Sequence, residues 1–253
     1  MVEIELETFN VVYGCQFGCP YCYAREKFSS KDFFQNGFDR PVYNPKAFDN
    51  LKRRPEIYVG SIMGDICTPA ISDDVLREIF RRCSLEFPQH LFFLLTKNPQ
   101  RYFTFFDKYE ILPPKNIYFG TSIENERYGY RLEHLKRLKR LDPETHLWVE
   151  NEPLFGLHND IDYTDVEYQS VSAIGLDQTY RSTADGHVLR KSELWNDDWI
   201  ESLYRNPTVN HSRLSIYKNI KELTRLEHIK RFQNFNLYDL LKHPETKSFD
   251  SLF

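Results

Sequence analysis

Residues 8–24 read T-F-N-V-V-Y-G-C-Q-F-G-C-P-Y-C-Y-A, a β-rich run that empties directly into a cysteine loop. The run from Thr8 to Tyr13 is apolar and β-branched, which suits a strand. The loop places Cys15, Cys19 and Cys22 in C-x-x-x-C-x-x-C spacing. Gly14 and Gly18 supply the backbone freedom that so tight a wrap requires. A strand that ends in a reactive loop is the first unit of a βα series, so the fold is decided by whether this unit recurs.

It does recur. Ile57 to Gly60 (I-Y-V-G), Leu91 to Leu95 (L-F-F-L-L), Ile117 to Gly120 (I-Y-F-G), Leu147 to Val149 (L-W-V) and a weaker run from Tyr168 to Ile174 follow. These runs are continuous rather than alternating, as expected of parallel strands covered on both faces. Between them, Val75, Leu76, Ile79, Phe80 and Cys83 share one helical face, with Ser72 or Asp73 as the cap. Phe103, Phe106 and Tyr109 form a second face after Pro99, and Leu132, Leu135 and Leu138 a third. Six strands and five helices predict an α/β fold, a partial (βα)6 TIM-like barrel with a helical C-terminal extension. The expected division is a core over residues 1–178 and a lid or connecting loop plus helices over 179–253. Trp199 to Tyr204, Leu214 to Phe232 and Leu237 to Leu241 read as helical.

Composition sets the class. Of 253 residues, 41% are hydrophobic and 28% charged, which excludes wholesale disorder. No run of eighteen apolar residues and no basic-then-apolar leader occurs, so neither a membrane span nor a secretory signal is expected, and a cytoplasmic location is. A net charge of -4 excludes a polycationic nucleic-acid coat. Residues 211–247 nevertheless carry eight Lys or Arg against four Asp or Glu. Together with the basic segment Arg131 to Arg140, this leaves room for a nucleic-acid partner. Eight histidines without an H-x-x-x-H pattern, and the absence of a P-loop, argue against a zinc hydrolase and a P-loop nucleotide hydrolase.

Three of the five cysteines fall within eight residues. In a cytosolic chain such a cluster reads as a metal or redox site, and its odd number leaves a thiol over in any disulfide scheme. Three thiolates on a compact loop suit three corners of an iron–sulfur cubane and leave one iron open for a ligand. Zinc is the alternative. It would need a fourth ligand from Cys67, Cys83 or a histidine, and no second C-x-x-C pair is present.

The loop, with aromatic Tyr21 just before the third cysteine, resembles the signature of radical S-adenosylmethionine enzymes. That resemblance implies a [4Fe-4S] cluster held by Cys15, Cys19 and Cys22, with S-adenosyl-L-methionine chelating its open iron. It also implies an external electron donor of flavodoxin or ferredoxin type, and a 5′-deoxyadenosyl radical that abstracts hydrogen from a substrate. The ordered series C-Q-F-G-C-P-Y-C-Y-A, G-S-I-M-G-D, L-L-T-K-N-P-Q-R, G-T-S-I-E-N and E-N-E-P-L-F-G is similar to a phage-associated radical-SAM-like family of unknown function. Members of that family occur beside a "three-Cys-motif partner" protein. The likeness covers about Asn10 to Gly175. Where that family carries Gly-Gly-Glu-Ser-Gly after the sixth strand, this chain has A-I-G-L-D-Q.

In such a barrel the working residues sit at the C-terminal ends of the strands. Residues 60–65, G-S-I-M-G-D, resemble the segment that binds the methionine amino group, which nominates Ser61, Gly64 and Asp65; a polar turn with Asp65 as a cap is the alternative. Lys97 is placed to meet the methionine carboxylate, or else lies at the surface. Thr121, Ser122 and Glu124 are candidates for the ribose or methionine portion. Glu150, Asn151 and Glu152 end the fifth strand, where carboxylates are costly to bury without partners. Cys67 lies just past the second strand end. Enzymes of the photoproduct-lyase kind relay a radical through a cysteine, so Cys67 is a catalytic candidate, with a small buried hydrophobe as the plainer role. The expected function is a radical S-adenosylmethionine enzyme on an unidentified substrate, a nucleotide or nucleic acid among the candidates. The alternatives are a non-enzymatic, metal-stabilised binding module and a photoproduct-lyase-like DNA repair enzyme.

Overall fold

The computed structural model describes residues 7–34, 36–60, 62–173, 180–181, 188–189 and 195–242. Ser61, Ile174 and most of the expected lid at 176–192 lie outside the described residues. The chain enters through β1 (Glu7–Phe9), turns at Asn10, and forms β2 (Val12–Tyr13), which pairs antiparallel with β3 (Val42–Tyr43). The run expected as one strand is therefore two. The Asn10 side chain explains the break, because its carboxamide oxygen accepts from the Met63 amide at 3.1 Å.

There follow β4 (Ile57–Gly60), β5 (Leu91–Thr96), β6 (Ile117–Ser122), β7 (His146–Asn151) and β8 (Tyr168–Val171). β9 (Tyr180–Arg181) and β10 (Val188–Leu189) pair with each other, and β11 (Leu214–Ile216) returns to the main sheet. That sheet has seven parallel strands in the order β1-β4-β5-β6-β7-β8-β11, curled into a half-barrel. The expected partial barrel is present with one strand more. Leu214–Ile216, expected at the start of a helix, is buried and pairs parallel with β8, and helix begins only at Lys218. Three residues are too few for periodicity to separate strand from helix.

The alternation of side chains along each strand divides the core in two. On one face, Phe92, Leu94, Phe119, Leu147 and Val149 meet the helices α2 (Asp73–Arg81), α3 (Gln100–Tyr109), α4 (Tyr130–Lys136) and α5 (Leu138–Leu141). Ser72 caps α2 by accepting from the Val75 amide. α3 buries Tyr102, Phe105 and Phe106, whereas Phe103 and Tyr109, expected on its inner face, are only partly buried. Phe80 stacks on Phe106 at 5.0 Å and meets Phe119 edge-on at 5.8 Å. Each such ring contributes about 1.5–3 kcal/mol by leaving water.

On the other face lie Ile57, Leu91, Phe93, Tyr118, Trp148 and Tyr168. They are covered by Phe235, Leu237, Tyr238, Leu240 and Leu241, with Leu237–Lys242 forming a short 3-10 helix. The C-terminal segment thus fills the face that the helices leave open. Trp148 fits there because its neighbour across β6 is Gly120: a β-carbon at Gly120 would overlap the indole ring. Gly120→Ala should therefore lower stability by about 1–3 kcal/mol, the usual cost of overpacking a filled core. Urea unfolding checks this, and an unchanged midpoint would contradict the packing described.

Candidate functional site

The parallel register brings the C-terminal ends of β1, β4, β5, β6 and β7 to one edge, and the cysteine loop lies across it. Its first anchor is backbone on backbone. The Gly14 amide donates to the Met63 carbonyl at 2.9 Å, and the Asp65 amide donates to the Gly14 carbonyl at 3.3 Å. A β-carbon at Gly64 would come within 2.5 Å of the Val12 carbonyl oxygen and 2.7 Å of the Gly14 carbonyl oxygen. Gly14 itself has φ +90 and sits against the Phe38 carbonyl. Both positions therefore require glycine.

A cavity of about 130 Å³ opens beside this contact. Cys15, Cys19 and Cys22 line it, together with Tyr21, Gly64, Asp65, Lys97 and Ser122. All three cysteines are unpaired and partly exposed. Burial and the neighbouring Asp65 push the Cys15 thiol up to about 12. Burial also raises Cys19, partly opposed by the Lys97 charge. A cation beside Cys15 and Cys19 would favour their thiolates, and a metal centre supplies one. Among the described residues, no three His, Cys, Asp or Glu side chains converge closely enough to hold one metal ion. Tetrahedral zinc gathers its sulfurs at about 2.3 Å from one centre. In a cubane each thiolate takes a different iron, so ligands spread along a cavity wall suit a cluster better.

A second cavity of about 690 Å³ adjoins the first and shares Cys19, Tyr21 and Lys97 with it. Glu124 stands on its wall, almost wholly buried. It is held by Lys97 Nζ at 2.6 Å, Arg131 NH1 at 2.8 Å and the Tyr21 hydroxyl, which donates to it. Burial alone would raise its carboxyl, but the Lys97 and Arg131 charges outweigh this and hold it below the usual range. The pairing fixes Tyr21, and through it the second half of the cysteine loop, to the end of β6.

The remaining candidates fall elsewhere. Asp65 accepts from the Thr96 hydroxyl and from the Cys67 and Lys97 amides at 2.7–2.9 Å, so it ties the β4 and β5 ends together as well as lining the small cavity. Thr121 and Asn151 point to the helix side. Thr121 donates to the Thr96 carbonyl, and Asn151 bonds the Ile123 carbonyl, the Tyr163 hydroxyl and Gln169. Cys67 is fully buried in the helix-side core and, like Thr121, Asn151, Glu150 and Glu152, lines neither cavity. Arg131 begins the basic segment read as room for a nucleic-acid partner, yet it is buried on Glu124. Phe155, within the E-N-E-P-L-F-G stretch, also lines the large cavity, as do Arg127 and Trp199, which no local motif marks. The one usable signal was a Glu at a strand end followed seven residues later by an Arg on the next helix.

The sequence of residues 1–212 matches the family described as "Protein of unknown function (DUF5131)". The chain belongs to DUF5131. Compared with curated proteins, it matches none. The DUF5131 match extends over every residue that lines the two cavities, Trp199 included. No helix among the described residues is long and apolar enough to cross a membrane.

Glu150, near the end of β7, gives the fold a pH signature. Its Oε2 accepts from the Ser170 hydroxyl at 2.5 Å, while Oε1 is buried without a partner among the described residues. Burial, then the charge of solvent-accessible Glu152, raises its carboxyl to about 8. Between its ordinary value of 4.5 and about 8, the folded protein holds a proton that the unfolded chain has released. Stability from this group is full below that window and falls as pH rises through it. Glu150→Gln should therefore gain stability over the native protein at about pH 9 but not at about pH 4. Urea midpoints across that range test this, and parallel curves would contradict it.

Proposed function

We propose that this DUF5131 protein is a radical S-adenosylmethionine enzyme. The observation that carries the reading is the small cavity at the C-terminal edge of a parallel half-barrel, with three cysteines on its wall and a larger cavity beside it. Cys15, Cys19 and Cys22 would each hold one iron of a [4Fe-4S] cluster, leaving the fourth for S-adenosyl-L-methionine. When bound, that pair supplies reductive cleavage to methionine and a 5′-deoxyadenosyl radical competent to abstract hydrogen.

The chain's own part is placement. Gly64 lets the loop backbone approach the sheet edge, and Ser122 lines the same cavity as the cysteines. Lys97 sits where the two cavities meet, suited to a carboxylate as well as to Glu124. Tyr21, 5.8 Å from Phe155, helps screen the cysteines from water. Reduction requires an external flavodoxin- or ferredoxin-type donor, and a three-Cys-motif protein is a candidate partner. Residues 1–178 would be the catalytic core. Cys67, away from both cavities, gives the radical-relay reading no geometric support. Part of the basic C-terminal segment, expected to recruit a partner in a binding module, instead packs on the sheet.

Anaerobic reconstitution should give a brown protein with roughly four irons. With dithionite and S-adenosylmethionine it should release 5′-deoxyadenosine, and Cys19→Ala should release none. A fully loaded protein that yields no 5′-deoxyadenosine would overturn the assignment.

A further inference from the structure

The larger cavity carries chemistry that the cofactor leaves unused. Among the described residues, Lys97, Arg127 and Arg131 line it against a single carboxylate, Glu124, in a chain whose net charge is -4. Glu124 is already shared between Lys97 and Arg131. Among the described residues, the exposed Arg127 guanidinium has no ion pair and the Nε of buried Arg131 has no hydrogen-bond partner. Two guanidinium groups therefore retain donors for an anion.

Six aromatic rings, Phe17, Tyr21, Tyr128, Tyr130, Phe155 and Trp199, share the same wall. Phe155 lies between Tyr21, at 5.8 Å, and Trp199, at 6.1 Å, and the Arg131 guanidinium rests 4.3 Å from the Tyr128 ring. Rings in such an array stack on any flat π-system. An occupant must therefore combine a planar aromatic face with negative charge. S-adenosylmethionine, with a sulfonium and an ammonium against one carboxylate, has the wrong net sign. A volume of about 690 Å³ suits one small molecule rather than a segment of duplex.

We propose that this cavity binds the substrate as a nucleotide unit, its base against Phe155 and Trp199 and its phosphate at Arg127 and Arg131. The role as substrate rests on the radical S-adenosylmethionine reading; the binding does not. The unit has two possible sources, a free nucleoside monophosphate or one nucleotide turned out of a single strand.

Calorimetry on the full-length protein with deoxynucleoside monophosphates, the matching nucleosides and a short single-stranded oligonucleotide tests this. A monophosphate should bind about tenfold tighter than its nucleoside, the advantage of a charge-assisted contact. Arg127→Ala, at an exposed position that folding does not need, should erase that advantage, and Arg127→Lys should keep part of it. Trp199→Ala should weaken nucleoside and monophosphate alike. An oligonucleotide tighter than the monophosphate names a strand as the source; equal binding names the free nucleotide. Equal affinity for nucleoside and monophosphate, no binding of any probe, or an Arg127→Ala protein that binds as the native one does would overturn the proposal. Measuring 5′-deoxyadenosine release on the same preparations separates the two claims. Release without nucleotide binding overturns this one alone, and binding without release overturns the cofactor assignment and the role as substrate while leaving the nucleotide site.

Discussion

The backbone contact between Gly14 and Gly64 is the constraint on which the site depends. It presses the start of the cysteine loop against the end of β4 with no side chain between them. The far half of the loop is held differently, by the Tyr21 hydroxyl on buried Glu124 at the end of β6. A loop fixed at two points, at strand ends with β5 between them, has little freedom left. Its three thiols must then face the space between the anchors, and that space is the small cavity. Lys97 and Arg131 keep the second anchor charged, since a carboxylate buried as Glu124 is would otherwise take up a proton.

Much of this was legible in the residues. The apolar runs located β4 to β8 to within a few positions, because strands covered on both faces carry an unbroken signal. The cysteine spacing and the strand ends named eight of the residues on the small cavity: the three cysteines, Tyr21, Gly64, Asp65, Lys97 and Ser122. What sequence could not settle was the choice between adjacent residues. Ser122 faces the small cavity while Thr121 bonds back to β5 on the helix side; Asn151 likewise turns to the helix side, away from Glu150. Along a strand one step reverses direction, and the phase of that alternation depends on which face the helices cover.

The larger misreadings share a cause. Leu214–Ile216 is strand because β8 offers it an edge, and Arg131 is buried because Glu124 awaits it; both are decided by the partner each meets in the fold rather than by its own local pattern. The aromatic share of 15% has a comparable explanation. Phe80, Phe106 and Phe119 interlock on the helix side, while Phe93, Tyr118, Trp148 and Tyr168 fill the opposite face under Phe235. Glycine at position 120, opposite Trp148, is what allows so many rings to share one sheet.

In the proposed site, three cysteines hold a cluster with one iron left open. Mössbauer spectroscopy of the iron-57-reconstituted protein, with and without S-adenosylmethionine, addresses it directly. The account predicts that one iron in four shifts when the cofactor is added, while the other three keep their thiolate signature. Four irons that all ignore the cofactor, or a protein that takes up zinc and no iron, would contradict it.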